Sequence, residues 1–335
     1  MAMTVKTSTD RFPPDFQVTP ADLSTVGQGL RRPECVLASS SGMLYTSDAG
    51  GGVACLAPDG TLTRIGCGDR IENAPIKPNG IALQRDGSFL VANLDGGVYR
   101  LTREGALSPY LLEVDGGGLE VANFVMVDRQ ERIWITVSTR LQPRALAYRP
   151  GVDDGYIVLV DGKGARIVAD GLGFTNECVL TPDGRHLFAI ETFSRRLTRY
   201  DVGEDGALTG RSTVTEFGTG TFPDGLALDE ADGMWVTSVL SNRVLRVTPD
   251  GESQLILEES DPDHLARVEE AYLAGGLNRD LMDNIPTPTL RSTSSLAFTG
   301  SDRRTAVLGV LLGDRLPSFR VPVPGVAPAH WAWGG

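Results

Sequence analysis

The sequence predicts an all-β fold, a six-bladed β-propeller of four-stranded antiparallel blades, on three observations. A polar residue stands before a short apolar, strand-like run six times, at Glu34, Asn79, Asn123, Asn176, Asp224 and Ser294. The steps between these heads are 45 (34 to 79), 44 (79 to 123), 53 (123 to 176), 48 (176 to 224) and 70 (224 to 294), and periods in the forties belong to propeller blades and similar arrays. Between heads, runs of β-branched and aromatic residues alternate with Asp-Gly turns, the signature of short strands rather than helices.

The unit from Pro78 shows the content of one blade. Its head and apolar run are followed by the turn Arg85-Asp86-Gly87, the strand Phe89–Asn93, the turn Asp95-Gly96-Gly97 and the strand Val98–Leu101. A fourth strand follows Glu104-Gly105, and the unit from Pro223 repeats the order with turns at Ala231-Asp232-Gly233 and Pro249-Asp250-Gly251. Four antiparallel strands per repeat make a blade, and radial closure leaves no long sheet edge exposed. Setting aside about 20 leading residues and the 33 residues Glu259–Arg291 leaves roughly 282, or six blades of about 47.

The domain expectation is therefore an N-terminal extension over 1–20 and one propeller over 21–335, with a strand near Leu23–Val26 completing the last blade. Residues 259–291 form a helical insertion between blades five and six. Ser260-Asp261-Pro262 caps a helix whose Leu265, Val268 and Tyr272 share one face, and Gly275-Gly276 ends it. Such a helix either lies on the outer surface or closes over the pore.

Composition narrows the function. A net charge of −12 argues against a nucleic-acid partner, whose footprint is a basic face. The longest apolar runs, such as Ala306–Leu312, are too short to span a bilayer. Residues Met1 to Pro14 carry no apolar segment of signal-peptide type. The four cysteines, Cys35, Cys55, Cys67 and Cys178, have neither zinc-type spacing nor the density of a disulfide scaffold. The expectation is a cytoplasmic protein that acts on a small molecule, away from nucleic acid and membrane.

The innermost strand of each blade starts at the pore, so the six heads converge on one end of the channel. Asn or Asp before Gly is also ordinary turn chemistry, and the chain has many such turns between strands, including Asp59-Gly60, Asp86-Gly87, Asp183-Gly184 and Asp250-Gly251. The heads differ because they open the first strand, where no hairpin is required. Two acids brought together repel unless a cation lies between them. Carboxylates with amide oxygens suit a hard divalent ion with water in its open positions, and such an ion promotes hydrolysis.

These phrases resemble the gluconolactonase, regucalcin and luciferin-regenerating-enzyme-like family from Pro33 to about Trp331. The most specific stretches are Gly171–Tyr200, with Gly173-Phe174-Thr175-Asn176 before the Pro182-Asp183-Gly184 turn, and Phe222-Pro223-Asp224-Gly225-Leu226. The resemblance implies a six-bladed propeller holding one divalent metal ion at the pore, with Glu34, Asn176 and Asp224 as ligands. Ca2+ is the expected ion, with Mg2+, Mn2+ and Zn2+ as alternatives. Asn123 matches an amide that contacts substrate or metal-bound water, and Asp224 matches the general base. Asn79 and Ser294 are left as pocket lining.

The chain departs from the family at Glu120-Val121-Ala122-Asn123-Phe124, where many members carry Asp after the Asn, and at Glu177, where Gly is common. Phe124, Phe174 and Phe222 stand beside heads, which makes the neighbourhood more apolar than a sugar-acid lactone prefers, unless these rings pack between blades. Phe124 and Phe174 therefore join the expected substrate-binding residues.

The function expected is a metal-dependent lactonase or related ester hydrolase, in which water activated by Asp224 attacks the polarised carbonyl. Phosphotriester hydrolysis or a specialised biosynthetic step on the same site is one alternative, and a non-catalytic metal-binding propeller is another. Cys35 and Cys178 are weaker candidates as nucleophiles. Arg140 and Arg144, in the long connection Ser138–Val152, either meet a substrate carboxylate or stay solvated.

Overall fold

A computed structural model describes residues 12–68 and 71–333. Six four-stranded antiparallel sheets form the blades of a propeller, as the repeat predicts. The innermost strands are Val36–Ala38, Pro78–Leu83, Ala122–Val127, Thr175–Leu180, Pro223–Leu228 and Thr293–Thr299. In blades one to five the chain runs outward through four consecutive strands. Blade six takes three strands from the C-terminal part of the chain and its fourth from Ser24–Val26, which pairs with Leu316–Arg320 through Ser24 opposite Ser318. The ring thus closes by joining the two ends of the described chain. The first 11 residues of the predicted N-terminal extension lie outside the described residues.

The core is divided among the blade interfaces. Tyr45, Val53, Ile81 and Phe89 pack between blades one and two, whereas Trp134, Ile157, Cys178 and Leu187 pack between three and four. Ile190, Leu197, Leu226 and Val236 fill the next interface, between four and five. Second strands are consequently buried on both faces, and all five residues of Phe89–Asn93 are buried. Outer strands such as Leu107–Leu111 carry exposed residues. No described helix is long and apolar enough to cross a membrane.

Two helices lie between blades five and six, α1 (Pro262–Leu273) and α2 (Arg279–Asp283). Asp261 caps α1 by accepting the His264 N–H at 2.6 Å, and Asn278 caps α2 through the Leu281 N–H. The buried face of α1 carries Val268 and Tyr272, as its spacing predicts, together with His264 rather than Leu265. Val268 and Tyr272 pack with Phe174, Phe193 and Phe222 of blades four and five, with Tyr148 of the blade-three connection, and with Leu277 and Ile285. The insertion therefore lies over the head end of blades three to five rather than on the outer rim. Arg195 fastens α1 there, since its guanidinium meets both Glu269 carboxylate oxygens at 2.6 Å and stands over the Phe222 and Tyr272 rings.

Candidate functional site

A backbone irregularity aims the heads. In five blades the pairing of the innermost strand with its neighbour shifts at the head, between Pro78 and Ile81, Ala122 and Phe124, Thr175 and Cys178, Pro223 and Leu226, and Thr293 and Leu296. A bulge inserts an extra residue and re-aims the side chains beside it. In the first blade Glu34 precedes the strand outright. Gly80 and Gly225 have a related task. A Cβ on Gly80 would lie 2.6 Å from the Phe124 Cα, and one on Gly225 would lie 2.3 Å from the Ser294 carbonyl oxygen. These glycines let neighbouring innermost strands touch, so Asn79-Gly80 and Asp224-Gly225 are blade contacts and not hairpin turns.

The heads meet in a ring of polar contacts that steps from blade to blade. The Ser294 hydroxyl donates to the Glu34 carbonyl oxygen at 2.9 Å. Arg32, two residues before Glu34, places Nη1 2.6 Å from Glu34 Oε2 and donates from Nη2 to Asn79 Oδ1 at 3.1 Å. The Asn79 amide donates to the Asn123 carbonyl and side-chain oxygens at 3.0 and 3.1 Å. Asn123 donates to Ser138 Oγ at 2.8 Å, and Ser138 donates to the Thr175 carbonyl oxygen at 3.1 Å. The Asn176 amide donates to Asp224 Oδ1 and to Thr192 Oγ1, and Thr237 donates to the Ser294 carbonyl oxygen. All six heads are buried, Asp224 the least at 8% exposed.

The electrostatics of this ring are costly. Burial, followed by the negative charges of Glu34 and Glu177, pushes the Asp224 carboxyl well above the usual range, although the Asn176 amide and Arg32 favour its ionised form. Burial also pushes Glu177 up to about 8, against the Leu226 N–H and the Ser295 hydroxyl, which stabilise its charge. Three acids with one adjacent guanidinium make a region that attracts a cation. Among the described residues no three His, Cys, Asp or Glu side chains stand close enough to hold a metal ion, so amide oxygens would have to complete the set. Glu34 and Asp224 with Asn176 supply such oxygens, and this hard donor set fits a divalent ion of the Ca2+ type.

The remaining candidates separate. Phe124 lines a cavity of about 300 Å3 that runs down the channel behind the heads, together with Glu177, Ser295, Val125 and Leu226. Phe174 sits instead in the aromatic cluster beneath α1, 4.8 Å from Phe193 and 5.6 Å from Tyr148 between ring centroids. Burial pushes the Cys35 and Cys178 thiols far up, which removes the thiolate a nucleophile needs. Arg140 is committed to Asp170, with two contacts of 2.9 Å, and lies over the Tyr156 ring. Four partners escaped the sequence reading: Arg32, Ser138, Thr192 and Thr237. Arg32 had one available signal, a cation two residues before a head.

Residues 32–258 match the family model described as the SMP-30/gluconolactonase/LRE-like region. The chain is 31% identical over 228 residues to a 6-deoxy-6-sulfogluconolactonase of Pseudomonas putida, an alignment that covers 67% of this chain and 65% of that protein. In fold it is similar to a gluconolactonase of Xanthomonas campestris, with a TM-score of 0.64 at 19% identity over 91% of this chain and 89% of the other. It is equally similar to regucalcin of Agrobacterium tumefaciens, described as a calcium-binding protein, with a TM-score of 0.63 at 17% identity over 90% and 96% of the two chains. At these identities the structural likenesses show the fold alone.

Proposed function

Because the chain belongs to the SMP-30/gluconolactonase/LRE-like family, we propose that it is a divalent-metal-dependent lactonase acting on a small lactone or related ester. The observation that carries this reading is the buried ring in which the Glu34 and Asp224 carboxylates stand among the Asn79, Asn123 and Asn176 amides. Glu34, Asn176 and Asp224 would hold the ion, with Ca2+ the expected species. When bound, such an ion polarises an ester carbonyl and acidifies water.

Asp224 acts as the general base. Its buried carboxylate is oriented by the Asn176 amide, which donates to Oδ1, and stands within the ring of head residues where the water would be held. It takes a proton from the water whose oxygen bonds to the lactone carbonyl carbon. The ring C–O bond then breaks, and the proton passes to the departing alkoxide, giving a hydroxy acid. Asn123, held by Asn79 on one side and Ser138 on the other, positions the reactants.

Replacing Asp224 with Ala is expected to lower lactone turnover by about 10³-fold or more, within the range for loss of a general base. Chelation is expected to abolish turnover in the unaltered protein, with recovery on adding Ca2+. Full turnover by a folded Asp224→Ala protein would sink this mechanism. A panel of lactones and phosphotriesters decides which bond is the natural one.

A further inference from the structure

We propose that Arg32 recognises an anionic substituent, a carboxylate, sulfonate or phosphate, on the substrate of the head ring. The inference rests on the lactonase reading and adds the charge of the substrate to it.

Among the described residues, Arg32 is the one cation bonded into the ring. Its guanidinium spans blades one and two, with Nη1 at 2.6 Å from Glu34 Oε2 and 3.1 Å from the Pro78 carbonyl oxygen, and Nη2 at 3.1 Å from Asn79 Oδ1. The residue sits in the left-handed region at φ 51°, a conformation that costs a non-glycine residue free energy and persists only where its surroundings hold it. Its side chain keeps 26% exposure, so the charge reaches the head surface although its partner Glu34 is buried.

The head end is uneven around the ring. Tyr148, Phe174, Phe193, Phe222, Val268 and Tyr272 cover it from blade three to blade five, and among the described residues blades one and two contribute nothing to that cluster. Arg32 lies away from that cluster, with part of its side chain exposed.

A dication held through Glu34 and a guanidinium held by the same carboxylate are like charges competing for one anion. Once Glu34 is committed to the ion, the guanidinium loses its carboxylate partner and faces a second positive charge. An anion on the substrate restores the balance, and the planar fork of Arg suits carboxylate, sulfonate and phosphate oxygens. A neutral lactone leaves the cation with the neutral Pro78 and Asn79 oxygens and no anion.

The test compares a γ-butyrolactone ring bearing a carboxylate with the same ring bearing a carboxamide, in the Ca2+-loaded protein and in Arg32→Met and Arg32→Lys. Rings bearing sulfonate or phosphate identify the preferred anion. The unaltered protein is expected to favour an anionic ring, and Arg32→Met to lower the anionic-to-neutral ratio of kcat/KM by about tenfold or more through KM, as for loss of a charge-assisted hydrogen bond. Arg32→Lys is expected to recover part of the ratio.

Calorimetry supplies a readout independent of turnover. Arg32→Met should bind the carboxylated ring more weakly and Ca2+ at least as tightly as the unaltered protein. Equal losses toward charged and neutral rings, or weaker Ca2+ binding in Arg32→Met, would overturn the assignment. Absence of turnover on every ring sinks the lactonase reading instead, and the carboxylate-against-carboxamide affinities then still decide the role of Arg32.

Discussion

Buried carboxylates occur at both ends of the innermost strands, and the two ends treat them differently. At the end away from the heads, Asp128 accepts the Gln130 and Arg132 backbone N–H groups at 2.8 and 2.9 Å, the Arg132 Nε at 2.7 Å and the Trp134 indole at 3.0 Å. Asp229 repeats the arrangement in blade five with Ala231 and Gly233 N–H groups, the Trp235 indole and Arg246. These acids are matched by donors and serve as posts that hold a turn, a tryptophan and an arginine together. At the head end, Asp224 has the Asn176 amide and two acidic neighbours. A matched buried charge belongs to the scaffold, whereas an unmatched one is kept at a cost to the fold and marks where a ligand supplies the missing charge.

Substitution separates the two kinds of acid most sharply. Asp229→Ala leaves the Trp235 indole without its acceptor and the buried Arg246 guanidinium without its carboxylate, and is expected to cost about 3–5 kcal/mol of stability. Asp224→Ala, expected to lower turnover on the proposed mechanism, is expected to leave the metal-free protein as stable as before or more so. Denaturant midpoints in the presence of chelator measure both, and equal losses would erase the distinction drawn between the ends.

The next effect is a pH slope. Glu177 holds a proton up to about pH 8 in the folded protein, against a usual value of 4.5. The unfolded chain loses that proton first, so this contribution to stability is complete below about pH 4.5 and is lost as pH rises toward 8, at up to about 1.4 kcal/mol per pH unit. Glu177→Gln is expected to flatten the slope of the chelated protein over that window. An unchanged slope would mean that Glu177 is matched as well as the posts are.

The smallest effect concerns α1. The Tyr272 hydroxyl donates to the Phe193 carbonyl oxygen beneath the helix. Tyr272→Phe keeps the ring packing and is expected to cost about 1 kcal/mol in thermal unfolding, the worth of one hydrogen bond. A null result would leave the attachment of α1 to the aromatic cluster and to the Arg195–Glu269 pair.

Much of this organisation was legible in the sequence, for reasons that particular residues make plain. The period and the strand content revealed the blades, and Leu23–Val26 was readable as the closing strand because blade six lacked a partner. The six heads were visible because a polar residue opening an apolar strand is conspicuous. The bulges that aim them were not, since a register shift such as that between Thr175 and Cys178 depends on the neighbouring strand. The posts left a trace that pattern reading can use: Asp128 and Trp134 stand six apart, as do Asp229 and Trp235. The Arg32 contacts were hidden because Asn79 lies in another blade, and only the closed ring brings the two within 3.1 Å.

Closure also fixes when the site can exist. Ser24 and Ser318, the partners that join the first strand to the last blade, are about 300 positions apart, and linking so long a stretch of chain is a slow, late event in folding. A nascent chain emerging from the ribosome carries Glu34 early, but Ser294, whose hydroxyl donates to the Glu34 carbonyl oxygen, is made near the end of synthesis. Five blades without the sixth would hold most of the ring's oxygens and no ring. On the proposed reading, acquisition of metal would report completion of the molecule, and a chain stopped short would be inert toward the ion as well as toward the substrate.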